Sequence, residues 1–146
     1  MKKITIPDLW DTRFLALAEH ISTWSKDPST QVGAVIVDAS KRVVSMGFNG
    51  FPRGIADNER LHDRSIKYEI ILHAEVNAVL FARANLEGCT LYIWPCGACS
   101  RCASLIIQSG ITRVVMPSTI HPRFKESIDL GIALLREAGV DVTMCE

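Results

Sequence analysis

Apolar residues recur at three- and four-residue steps early in the chain, at Trp10, Phe14, Leu17 or Ala18, Ile21 and Trp24. This spacing predicts an amphipathic helix, capped by Asp8 or Asp11. Pro28 disfavours helix at the residue before it and closes the segment. Val32 to Val37 is a continuous apolar, β-branched run and Arg42 to Phe48 is a second, with Asp38 to Lys41 as the turn of a hairpin. From Asn49 to about Arg64 the chain is polar and broken by glycine and proline, which predicts a long loop; loops of this length are usually functional or mobile.

A helix is expected from about Ala74 to Ala84, with Val76, Ala78, Val79, Leu80 and Ala82 as its apolar face. Thr90 to Trp94 reads as a strand, Cys99 to Ser109 as a helix stopped by Gly110, and Ile111 to Met116 as a strand. Phe124 to Ala138 carries Ile128, Ile132 and Leu135 in helical phase, ends at Gly139, and precedes an alternating strand from Val140 to Met144. The order α-β-β-α-β-α-β-α-β implies an α/β fold, a sheet with helices on both faces.

Composition narrows what such a fold does. The 146 residues suit one domain over positions 1–146, with no repeat, low-complexity segment or linker. Hydrophobic residues at 48% and charged residues at 22% suggest neither disorder nor a membrane span. Sixteen basic residues balance sixteen acidic ones, so the excess that neutralises phosphates in nucleic-acid binders is missing, and a small-molecule substrate is expected instead. Met1 to Asp8 carries two lysines but no apolar core of signal-peptide length, which gives a cytoplasmic expectation. Five cysteines, three of them crowded between Cys96 and Cys102, fit metal ligation in a reducing compartment better than a disulfide framework. Cys89 and Cys145 read as small buried hydrophobes. Lys26, Arg53, Arg60, Lys67, Arg83 and Arg123 read as surface charges.

The chemistry concentrates at His73-Ala-Glu75 and the cysteines that follow about a helix and a strand later. One imidazole and two thiolates are a catalytic zinc set that leaves the fourth tetrahedral position for water. Glu75, two residues from the His ligand, is placed to carry that water's protons. An H-x-E followed by P-C-x-x-C is the zinc deaminase signature, with the Glu as acid/base and not as ligand. Three cysteines make two overlapping pairs, Cys96/Cys99 and Cys99/Cys102. The literal P-C-x-x-C picks the first. Helix phase favours the second, because it puts Cys102 in the first turn of the helix, and helix N-termini favour thiolates. Of the remaining histidines, His20 and His62 read as solvated, and His121 as a loop residue within reach of the site.

Several stretches then resemble a known family. Ser25-Lys-Asp-Pro-Ser-Thr-Gln-Val-Gly33, Gly47-Phe-Asn-Gly-Phe-Pro-Arg-Gly54, Lys67-Tyr68 ahead of His73-Ala-Glu-Val-Asn-Ala78, and Cys102-Ala-Ser-Leu-Ile-Ile-Gln-Ser-Gly-Ile111 are similar to the deoxycytidylate deaminases of the zinc-dependent cytidine deaminase superfamily. The resemblance implies a three-layer α/β/α sandwich around a five-stranded mixed sheet, commonly oligomeric. It implies that His73, Cys99 and Cys102 hold Zn²⁺, that Glu75 shuttles protons, that Asn49 meets the sugar and that the backbone of Ala74 contacts the base. The activity implied is hydrolytic conversion of dCMP to dUMP with release of ammonia.

The chain departs from the family pattern in places. Ala98, not proline, precedes the first zinc cysteine, and Trp94-Pro-Cys-Gly97 reshapes that loop. After the fourth strand, where many members place a tyrosine, this chain reads Ser118-Thr-Ile-His-Pro-Arg-Phe124. Phe124 or His121 is the expected stacking partner for a base there, and Arg123 the expected phosphate contact. The rival expectations are a deaminase of another amino-heterocycle (cytosine, cytidine, a modified cytosine nucleotide or a guanine-like base), a noncatalytic zinc-binding module, and editing of tRNA or single-stranded DNA. A comparison of dCMP with deoxycytidine and cytosine separates the first, and a mobility shift with RNA the last.

Overall fold

A computed structural model describes residues 6–146. The first five residues, and with them most of the N-terminal segment behind the cytoplasmic expectation, lie outside the described residues. Five strands form one mixed sheet: β1 (Gly33–Val37), β2 (Val43–Phe48), β3 (Thr90–Trp94), β4 (Arg113–Pro117) and β5 (Asp141–Cys145), in the order β2-β1-β3-β4-β5. The predicted hairpin is present, with Gly33 opposite Phe48 and a register shift at Ile36/Val37. β1 also pairs antiparallel with β3, whereas β3–β4 and β4–β5 are parallel.

Helices cover both faces, as expected. α1 (Leu9–Ser22) opens with a capping box in which Asp8 accepts from the Asp11 backbone N–H and Asp11 accepts from that of Asp8. It seats Phe14, Ala18 and Ile21 on Val35, Val37, Tyr92 and Val115. The other face carries α3 (Ala74–Ala82), α4 (Ser100–Ser109) and α5 (Lys125–Glu137), packed on Ala34, Ile36, Leu91, Ile93, Val114 and Met116. Because β1 is an interior strand covered on both faces, every one of its residues is buried. That burial accounts for its unbroken apolar run.

Two expectations need correction. The polar stretch is not structureless, since it holds a 3-10 turn at Glu59–His62 and then a helix, α2 (Arg64–Ile70). Asp63 caps α2 by accepting from the Ile66 N–H, and its one buried residue is Lys67. A helix that buries a lysine has no apolar stripe, so periodicity cannot find it. The next helix, α3, stops at Ala82 and not at Ala84, because Arg83 takes a left-handed conformation (φ 47°), and Leu80 is exposed on it. Among the described residues, no helix is long and apolar enough to cross a membrane.

Candidate active site

The N-termini of α3 and α4 bring the zinc candidates together. His73 is the N-cap of α3, Cys99 the N-cap of α4, and Cys102 lies in the first turn of α4. Glycines allow the elements to approach this closely. A Cβ on Gly47 of β2 would come within 2.5 Å of the Ala78 backbone N and 2.7 Å of the Ala74 carbonyl oxygen, both on α3. One on Gly131 of α5 would fall on the Ala98 carbonyl and within 3.2 Å of the Cys99 carbonyl oxygen. β2 and α5 therefore press directly on the two segments that carry the ligands.

His73 Nδ1 lies 3.2 Å from Cys102 Sγ and 3.6 Å from Cys99 Sγ, and all three donor atoms fall within 4.8 Å of one another. Tetrahedral zinc with Zn–S of about 2.3 Å and Zn–N of about 2.05 Å separates its donors by about 3.6 Å (N to S) and about 3.8 Å (S to S). The His73–Cys99 separation equals the N-to-S value and the His73–Cys102 separation falls about 0.4 Å short of it, so the triad needs only a small opening to take the ion. Cys96 lines the neighbouring cavity but stands outside the donor cluster, so the helix-phase choice of Cys99 and Cys102 matches the geometry.

Electrostatics fit the same reading. A hydrogen bond from the Cys102 thiol, with another from His73, holds the Cys99 thiol down at about 4, while donating that bond and burial raise Cys102. The two sulfurs share one negative charge, a conflict that a dication between them removes by taking both as thiolates. His73 is raised by its hydrogen bond with Cys99, which outweighs burial. Glu75 is only 3% exposed, and burial pushes its carboxyl up. Burial also pushes the Cys96 thiol up to about 12, leaving it a protonated bystander.

A cavity of about 660 Å³ opens beside these groups. Glu75, Ala74, Asn49, Arg123 and Phe124 all line it, so five of the six predicted catalytic and substrate-contacting residues converge there. His121 does not. It caps the short 3-10 turn Pro122–Phe124 by accepting from the Arg123 N–H, and its ring lies 5.9 Å from that of Phe124.

Sequence reasoning missed the cavity's far wall. Lys67, read as a surface charge, is 3% exposed and pairs with Asp27 at 3.0 Å, because Asp27 is itself buried and needs a counter-charge. Arg64 and Arg101 also line the cavity. The signal for the pair was present in the Ser25-Lys-Asp-Pro and Lys67-Tyr68 stretches, but nothing local says that they meet. A two-way backbone bridge between Gly50 and Leu72 then ties the Asn49 loop to the residue before His73.

Known proteins are similar to this chain in sequence and fold. The family described as the cytidine and deoxycytidylate deaminase zinc-binding region matches residues 8–118. An uncharacterized deaminase of the luxG 3′ region of Aliivibrio fischeri is 46% identical over 139 residues, covering 92% of both chains. The deoxycytidylate deaminase of Mus musculus is 39% identical, over 90% of this chain and 76% of its own length. The structure of dCMP deaminase from the cyanophage S-TIM5, in complex with dCMP and dUMP, superposes with a TM-score of 0.76 at 28% identity, over 91% of this chain and 95% of that one.

Proposed function

Because this chain belongs to the cytidine and deoxycytidylate deaminase family, a class of zinc-dependent hydrolytic enzymes, we propose that it removes the 4-amino group of dCMP, giving dUMP and ammonia. The observation that carries the reading is the buried Glu75 beside a His/Cys/Cys donor set with zinc spacing. A noncatalytic zinc staple has no use for that carboxyl.

His73, Cys99 and Cys102 would hold Zn²⁺. Bound Zn²⁺ lowers the pKa of a water from about 15.7 toward about 7. Glu75 relays both of that water's protons, one to ring N3 and one to the departing amino nitrogen. The oxygen goes to C4 as the C4–N bond breaks, so atoms balance as dCMP plus water to dUMP plus ammonia. Burial favours this relay, because a carboxyl raised from its ordinary range gives up its proton less completely than a solvated one. The backbone of Ala74, at the start of α3, meets the base, Asn49 meets the sugar, Phe124 stacks on the base and Arg123 meets the phosphate. His121 acts through Phe124.

We take residues 1–146 as one deaminase domain working in the cytoplasm, where free cysteines persist. β2 and α3 expose Met46, Phe48, Leu80 and Phe81, apolar surface that a homo-oligomer would cover. Light scattering reads the assembly.

The deciding experiment measures ammonia release by the zinc-loaded protein with dCMP, deoxycytidine, CMP and cytosine in parallel. The expected result is preference for dCMP, abolished in Glu75→Gln with zinc still bound. Turnover of cytosine alone, or retained activity in the variant, refutes the substrate or the role respectively.

A further inference from the structure

α4 begins on a metal ligand. Its N-cap is Cys99, where serine, threonine, asparagine or aspartate would ordinarily accept from a first-turn N–H, and the Cys99 side chain makes no cap hydrogen bond. No acidic residue stands in the first turn either. The amide that gains a side-chain acceptor is that of Ser100, the first residue of the helix, and the acceptor comes from another helix. It is Ser127 Oγ, in the first turn of α5, at 3.2 Å.

One face of α5 follows the segment that leads into α4 residue by residue. Ile128, 1% exposed, packs against Gly97 so closely that a Cβ there would come within 3.0 Å of its Cγ2. Gly131 stands against the Ala98 and Cys99 carbonyls, where a Cβ would collide, and Ser127 meets Ser100. The first two are close-packed contacts that bar approach to α5 and fix no orientation. The hydrogen bond is the directional contact of the three, and it resists movement away.

We infer that Ser127 is a positioning residue for the zinc centre: by holding the Ser100 N–H it sets where α4 starts, and with it where the Cys99 sulfur stands relative to His73. The inference rests on zinc ligation by Cys99 and not on which amine the enzyme removes. Cys99 Sγ lies 3.6 Å from His73 Nδ1, already the separation that a tetrahedral zinc ion needs, so drift of the helix start can only spoil it. Ser127 is exposed where it lines the cavity beside Cys99, and water can replace its hydroxyl on the Ser100 N–H at little cost to the fold. What water cannot replace is the link to α5. The effect is therefore expected on the ion and not on folding.

Competition with a chromogenic chelator, run on the zinc-loaded full chain and on its Ser127→Ala and Ser127→Thr variants, tests this. Alanine suits an exposed helix position, so the first variant is expected to fold. It should bind zinc about tenfold more weakly, the low end for losing an outer partner of a metal ligand, whereas Ser127→Thr keeps the hydroxyl and should bind like the wild type. The sulfur-to-cobalt charge-transfer band of the Co²⁺-substituted protein should shift in the alanine variant alone, and the melting temperature of the zinc-free protein should differ little among the three. An unchanged affinity or an unmoved band in Ser127→Ala overturns the inference. So does an equal loss in Ser127→Thr, which would assign the effect to packing, or a zinc-free melting temperature that falls in step with affinity, which would assign it to general stability. None of these readouts involves a substrate, so a wrong substrate assignment leaves them standing. A wild type that takes up no zinc overturns the zinc site and this inference together.

Discussion

Asp11 is completely buried and still charged. Burial pushes its carboxyl up, but the Arg113 guanidinium, the backbone at Asp8 and the Tyr92 hydroxyl together hold it below the usual carboxylate range. Arg113 donates to both oxygens, at 2.7 and 2.8 Å, and Tyr92 to one at 2.9 Å. A depressed carboxyl contributes stability that is complete above its unfolded pKa, near 3.8, and is lost as pH falls through the lower folded value. Asp11→Asn should therefore cost about 3 kcal/mol at pH 7, the usual penalty for breaking a buried pair, with the gap to wild type closing below about pH 4 in urea titrations. A pH-independent difference would assign the cost to packing. The chain pattern offered Asp11 only as a helix cap, which is a local role. Its second role depends on a partner 102 residues away, and no periodicity reports that. The zinc residues were legible for the opposite reason: each lies at or just inside a helix N-terminus, so spacing found His73 and Glu75 and helix phase chose Cys99 and Cys102 over Cys96.

Elements transmit this fixing. Gly131 lets α5 press against the carbonyls of Ala98 and Cys99, and so sets where α4 begins. Gly131→Ala should weaken zinc binding about 10- to 100-fold, as disturbing the support of a metal ligand does, while the unfolding midpoint of the zinc-free protein moves less; competition with a chromogenic chelator reads the affinity. Unchanged affinity would mean that α5 yields instead of the loop. The strands were legible almost to the residue, because β1 and β3 are covered on both faces and carry unbroken apolar runs. α2 was not, because its single buried side chain is charged and its cap, Asp63, sits inside a stretch already polar. The Lys67 side of the cavity was therefore hidden, while the side that carries Glu75 and Asn49 was visible.

Across the whole molecule, a zinc ion held by His73, Cys99 and Cys102 would join the starts of α3 and α4, which lie far apart in sequence. Its removal should lower the melting temperature reversibly, since a ligand of the folded state adds about 4 kcal/mol at a free concentration a thousand times its Kd. Scanning calorimetry before and after chelation and zinc return checks this, and an unchanged transition would mean that the triad does not hold the ion in the folded enzyme. The Gly50–Leu72 bridge and the Lys67–Asp27 pair pin the long excursion at its base and along its far side, whereas Arg53 to Asp57 are all exposed. Covalent continuity at the tip of that excursion is then dispensable. A brief tryptic cut after Arg53 should yield two fragments that travel together on gel filtration and still turn over substrate, so the enzyme would work as a split protein.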